Sequence, residues 1–224
     1  MRFRDRRDAG RQLAAALQSM AGVPGVLVLA LPRGGVPVAY EVALALGAPL
    51  DLFLVRKLGV PGQEELAMGA IAEGDVRVLN REVIQPLGIP QHVIDRVATE
   101  ERAELARRGR LYRGGAPPPA IRGQTVLLVD DGLATGATMA AAVAGVRAQE
   151  PSRVVVAVPV AARETIERMQ EIADDCVSVL LPRSFGGVGQ WYEDFDQTSD
   201  DEVRSLLDAA SHRAPVAPSG LRAT

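Results

Sequence analysis

Val126–Met139 reads VLLVDDGLATGATM, and this run decides the fold. Val126, Leu127, Leu128 and Val129 form a continuous apolar stretch, the pattern of a strand covered on both faces in a parallel sheet. It ends in two adjacent carboxylates, Asp130 and Asp131. A small hydroxyl-bearing loop, Gly132–Thr138, follows, and then the helix formers Met139–Val146 (MAAAVAGV). Ligands of open α/β sheets bind beyond the carboxyl ends of the strands, where the two acids fall. Carboxylates placed there can accept hydrogen bonds from vicinal ribose hydroxyls. The loop can offer backbone amides and the Thr135 and Thr138 hydroxyls to a phosphate at the positive end of a helix. Gly136 lets the backbone approach that phosphate without a Cβ clash. The plainer alternative is a turn whose Asp and Thr only cap the helix; the length of the whole pattern favours a ligand site.

Two further segments agree with this reading. In Val26–Val36 (VLVLALPRGGV) an apolar run ends at Pro32, and Arg33, Gly34 and Gly35 lead into the helix pattern Val36–Leu46. One guanidinium and two unobstructed amides at a helix N-terminus suit a diphosphate, although Gly-Gly after a strand is often only a tight turn. In Asp51–Lys57 (DLFLVRK) a strand ends in Arg56 and Lys57. Adjacent cations at a strand end are commonly just solvated. Here a long Gly-containing stretch, Leu58–Asn80, follows and has the makings of a lid. Within it Glu64–Glu73 alternates enough to pair with Val76–Leu79 as a hairpin turning at Gly74-Asp75.

The run Val126–Met139 resembles the phosphoribosyl-pyrophosphate signature of type I phosphoribosyltransferases: a hydrophobic strand, two acids, two variable residues, then A/T-T-G-x-T. PRGG at Pro32–Gly35, RKLG at Arg56–Gly59 and WYEDF at Trp191–Phe195 extend the likeness, to a bacterial branch of that family, over nearly the whole chain. The resemblance implies a catalytic set of Arg33, Lys57, Asp130 and Asp131. Asp130 and Asp131 would hold the ribose 2- and 3-hydroxyls and, through water, touch a magnesium ion carried mainly by the substrate's phosphates. Ala134, Thr135, Gly136, Ala137 and Thr138 would cradle the 5-phosphate. Arg33, Gly34 and Gly35 would bind the pyrophosphate leaving group, in a loop that often contains an unusual cis peptide in this family. Arg56 and Lys57 would open a mobile catalytic lid at about residues 57–82. Phe185, Val188 and Asp194, in a C-terminal hood at about residues 182–198, would bind the acceptor.

Half of the chain's aromatics fall in that hood, in Pro182–Phe195 (PRSFGGVGQWYEDF). Trp191 and Phe195 are expected to pack it against the core. One departure is informative: enzymes that use 6-oxopurines place an aspartate, the proposed general base, where this chain has Ala134. The loop instead resembles the adenine type, while the chain as a whole does not match adenine enzymes. Glu73 is a candidate substitute base.

With 224 residues, 47% of them hydrophobic, and a net charge of −3, the chain reads as one globular domain with no pull toward nucleic acid or membrane. A single cysteine, Cys176, allows no internal disulfide and points to a reducing, cytoplasmic setting. No signal peptide is expected, and no eighteen-residue apolar span occurs. Only His92 and His212 are available, and neither they nor Cys176 form a triad or a metal-ligand cluster.

Helices are expected at about Arg6–Met20, Val36–Leu46, Pro90–Tyr112, Ala137–Gln149, Ala162–Ala173 and Asp200–Ala210. Strands are expected at about Val26–Leu31, Asp51–Arg56, Gln124–Val129, Arg153–Val158 and Cys176–Leu181. This alternation predicts an α/β fold: a doubly wound parallel five-stranded sheet of order 2-1-3-4-5, with the site where strands one and three meet. The charged helix Pro90–Tyr112 reads as a solvated face or a subunit contact. Residues 1–211 form the single domain, and the Pro/Ala/Ser-rich tail from His212 is expected to be disordered. Expected partners are phosphoribosyl pyrophosphate, a small nitrogenous acceptor and a second copy in a homodimer. Two function classes stand: a phosphoribosyl transferase, favoured by the leaving-group residues, and a regulator that binds the same donor as a signal.

Overall fold

The computed structural model describes residues 2–74 and 76–212, the side chain of Glu65 excepted. The strands are β1 (Val26–Ala30), β2 (Leu50–Leu52), β3 (Val55–Val60), β4 (Gln63–Ala72), β5 (Val76–Leu79), β6 (Thr125–Val129), β7 (Arg153–Val160) and β8 (Asp175–Leu180). The helices are α1 (Arg6–Ala16), α2 (Gly35–Leu46), α3 (Arg81–Ile84), α4 (Gln91–Arg113), α5 (Ala137–Arg147), α6 (Arg163–Gln170) and α7 (Asp200–Ser211). Five parallel strands form the central sheet in the order β2-β1-β6-β7-β8, which is the expected 2-1-3-4-5 when its own strands are counted.

Period-two alternation divides the apolar strands between two cores. Val28, Ala30, Leu127 and Val129 face α1, α2 and α7, while Leu27, Leu29, Val126 and Leu128 face α5 and α6. Every residue of β1 is buried, as are Val126–Val129 of β6. The expected continuous runs therefore reflect burial on both sides, and the acids that follow β6 emerge at the carboxyl edge beside the end of β1.

The second strand departs from expectation. Asp51–Arg56 is not one strand: the ladder of β2 stops at Leu52, and Val55–Val60 joins a separate antiparallel sheet of order β3-β4-β5. Leu54 marks the break, because its amide donates to the buried Glu73 carboxylate at 3.2 Å instead of to a neighbouring strand. The segment expected as a lid loop is this ordered sheet. The expected hairpin is present as β4 paired with β5, with its turn described as far as Gly74. Leu58, Val60, Met68 and Ile71 bury against Ile94 and Ala98 of α4, giving the sheet a small core of its own. The charged helix thus has an apolar seam, flanked by ion pairs from Glu101 to Arg56 and from Asp95 to Arg77 of the same sheet. Beyond His212, the expected disordered tail lies outside the described residues.

Candidate active site

The two acids and the PRGG loop meet at the carboxyl end of β1 and β6. A non-proline cis peptide joins Pro32 to Arg33. Gly34 and Gly35 then bring the chain against the acids: a Cβ on Gly34 would lie 2.0 Å from Asp131 Oδ2, and one on Gly35 would lie 2.9 Å from Asp130 Cα. The glycine pair is therefore required by packing on the acid pair itself. The Asp131 amide donates to Asp130 Oδ1 at 2.8 Å. Asp131 Oδ2 accepts from Arg6 Nε at 2.9 Å, in a pair whose side chains are 16% and 12% exposed. Burial pushes both carboxyls above their usual range; the Asp131 charge raises Asp130 further, and Arg6 pulls the other way.

Arg6 is the site residue that sequence reasoning misses. It lies in the first turn of α1, 125 positions from its partner, and nothing in RFRDRR distinguishes it from a solvated cation. Its guanidinium also donates to the Asp196 carbonyl at 2.6 Å and stands 3.9 Å from the centre of the Phe195 ring. The Tyr192 hydroxyl donates to the Asp131 carbonyl oxygen at 2.5 Å, and burial raises its own pKa. The hood thus fixes Asp131 from behind.

The loop after the acids is braced from α6. Gly136 has φ 76°, a left-handed conformation that glycine adopts cheaply, and a Cβ there would meet Thr165 Cγ2 at 2.6 Å. The Thr165 hydroxyl donates to the Ala134 carbonyl at 2.6 Å, and Arg168 donates to the Thr135 carbonyl at 3.0 Å. With those carbonyls turned to α6, the loop runs into the N-terminus of α5, where an anion is favoured. Thr138 and Pro32 line one side of a cleft of about 580 Å³, and Arg56, Lys57 and Arg108 line the other.

A phosphoribosyl transferase domain model matches residues 6–196, which include every element described at this edge of the sheet. The chain belongs to the phosphoribosyl transferase domain family. Two Mycobacterium tuberculosis strains each carry a protein, provisionally named a phosphoribosyl transferase, that is 49% identical over 211 residues. The match takes in 94% of this chain and 47% of theirs, so the chain spans about half the length of the curated relatives it matches. The crystal structure of TT1426 from Thermus thermophilus is 46% identical, with a TM-score of 0.84 over 92% of this chain and 98% of that one.

Within this transferase-family fold the remaining expected residues fall in different places. Arg33 Nη1 lies 3.6 Å from Asp200 Oδ1 at the start of α7, where the Tyr112 hydroxyl donates to the same oxygen at 2.7 Å. Arg56 reaches the cleft with its Nε on Glu101 Oε2 at 2.5 Å. Val188 packs over the signature loop, its Cγ1 2.5 Å from where a Gly132 Cβ would be. Phe185 and Phe195 pack beside Val188 against Phe3 and Tyr192, a cluster that ties the hood to the chain's first residues. Asp194 accepts from the Asp196 amide at 3.1 Å and lines a separate depression with Asp5 and Arg6; like Phe185 and Val188, it does not line the cleft itself. Glu73 is no candidate base: Arg113 donates to both its oxygens and Leu54 to one of them, in a pair only 6% and 9% exposed.

Proposed function

We propose that this domain transfers a phosphoribosyl group from phosphoribosyl pyrophosphate to a nitrogenous, nucleobase-like acceptor. The observation that carries this reading is the convergence, at one edge of the sheet, of a half-buried acid pair, a helix-N-terminal loop and a cleft lined by Arg56, Lys57, Arg96 and Arg108 beside three glutamates. The acceptor nitrogen forms its bond to the anomeric carbon as the bond from that carbon to the diphosphate breaks. The bonding pair leaves on the diphosphate, and the nitrogen gives its proton to solvent.

Each group has a part. Asp130 and Asp131 accept from the ribose hydroxyls and face the positive charge that grows on the ring. Ala134–Thr138 hold the 5-phosphate. Arg56, Lys57 and Arg33, once released from Asp200, meet the growing charge of the leaving group. The second sheet and α4 cover the reactants as a lid, and Phe185 and Val188 border the acceptor.

Magnesium fits as a companion of the substrate. Among the described residues no three His, Cys, Asp or Glu side chains cluster to hold a cation. In this reading Asp130 and Asp131 offer oxygens to its hydration shell, and the ion when bound would supply charge neutralisation on the diphosphate. Among the described residues no helix is long and apolar enough to cross a membrane. We place the protein in the cytoplasm, in nucleotide metabolism and as a homodimer, the last checked by light scattering.

The deciding assay incubates the protein with phosphoribosyl pyrophosphate, magnesium and a panel of bases, and follows pyrophosphate release. Release with at least one base is expected. Donor binding without release from any base would favour the regulator instead.

A further inference from the structure

Arg108, in the charged helix α4, enters the cleft without any sequence motif to announce it. It lines the main cleft and also the narrow recess at its floor, where it meets Arg56, Pro32 and Thr138. That recess joins the segment after β1, the start of β3 and the first turn of α5. Arg108 Nε donates to Glu104 Oε1 at 2.8 Å. Arg56 is held by the same atom, its Nε donating to Glu101 Oε2 at 2.5 Å. Glu101 and Glu104 stand one helical turn apart, so α4 orients both guanidinium groups alike. Among the described residues, each uses Nε alone in its hydrogen bonds, which leaves two planar Nη groups per arginine for another acceptor.

Each arginine keeps one glutamate on its Nε, so an anion in the recess would be held by charge-assisted hydrogen bonds from the Nη groups rather than by relief of repulsion. The planar guanidinium fork matches phosphate oxygens, and a recess bordered by Thr138 and Pro32 lies between the two loops already assigned to donor phosphates. The geometry points to Arg108 as a further binding residue for the donor's diphosphate, with Glu104 as a positioning residue acting through it. This rests on the phosphoribosyl-transfer reading above.

The test measures, by calorimetry on the full chain with magnesium, the affinities for pyrophosphate, phosphoribosyl pyrophosphate and ribose 5-phosphate. Arg108→Gln is expected to weaken the two diphosphate-bearing ligands by about ten- to hundredfold, the range for a lost charged hydrogen bond. Arg108→Lys, which keeps the charge and loses the fork, should fall between. Ribose 5-phosphate, which has no diphosphate, should bind as in wild type. Glu104→Gln should show the same split with a smaller loss, and absence of that split would remove its positioning role. Wild-type affinity for pyrophosphate and donor in Arg108→Gln would overturn the assignment and leave the donor site standing. An equal loss on all three ligands with a lowered Tm in both Arg108 variants marks a scaffold residue and also overturns it. If the wild type binds neither donor nor ribose 5-phosphate, the transfer reading fails and this inference falls with it.

Discussion

Burial raises the Asp130 carboxyl well above its usual range, and the neighbouring Asp131 charge pushes the same way. A carboxyl with a raised folded-state pKa binds more protons folded than unfolded. Stability therefore falls as pH climbs from the ordinary value of 3.8 through the raised one. Above that window the ligand-free protein carries the full cost of a buried charge, which ribose hydroxyls would offset on binding. Asp130→Asn removes the charge while keeping the shape. At pH 8 it should raise the Tm of the ligand-free protein by about 2–4 °C or more, the equivalent of about 1 kcal/mol at this size. It should also flatten the fall of Tm as pH climbs above the ordinary carboxyl value, and weaken donor binding by at least tenfold. A lower Tm at pH 8 would show that the acid stabilises the fold instead. Such a carboxylate, held at a cost to the fold, is the kind that function retains.

Helix α4 and the β3-β4-β5 sheet are fastened to the core by a buried latch. Arg113, near the end of α4, donates to Glu73 at the hairpin turn, to Asp51 Oδ1 at 2.7 Å and to the Leu52 carbonyl at 2.7 Å. Removing one partner of such a pair strands the other charge, so Glu73→Gln and Arg113→Met should each cost about 3–5 kcal/mol in urea unfolding. Their double mutant should cost less than the sum of the two. Strict additivity would mean that the latch does not couple the two parts. This is also where the sequence is least legible. The central strands announce themselves because burial on both faces leaves an unbroken apolar run, as in Leu27–Leu31. The first strand of the small sheet, β3, escapes the reading because irregularities at Leu58–Gly59 and Gly59–Val60 interrupt its alternation. The apolar seam of α4 is hidden by the charges that flank it. Glu73 looks like a free acid in the sequence because its partner lies 40 positions away.

Taken whole, the described residues form a doubly wound core and a smaller sheet-plus-helix layer, with the cleft lined by both. α5 connects the two: its N-terminus carries the phosphate loop, and Met139, Val143 and Val146 share a buried cluster with Phe53, just before the small sheet begins, and Ala72, the last residue of β4. A donor that touches Thr135 and Thr138 on one wall and Arg56, Lys57 and Arg108 on the other should cross-link the layers, whereas ribose 5-phosphate should engage the core wall alone. Linkage turns this into a measurable ordering. Saturation at about a hundred times Kd stabilises the folded state by about 2.7 kcal/mol whichever ligand is used. The difference should therefore lie in where protection appears, not in Tm alone. Hydrogen exchange with saturating ribose 5-phosphate is expected to slow amides at the start of α5 and in β6. With saturating phosphoribosyl pyrophosphate and magnesium, slowing should extend to β3, β4 and the half of α4 facing them. Identical exchange maps for the two ligands at matched saturation would mean that the small layer does not close on the donor, and the lid would then have to be dropped from the proposed reaction.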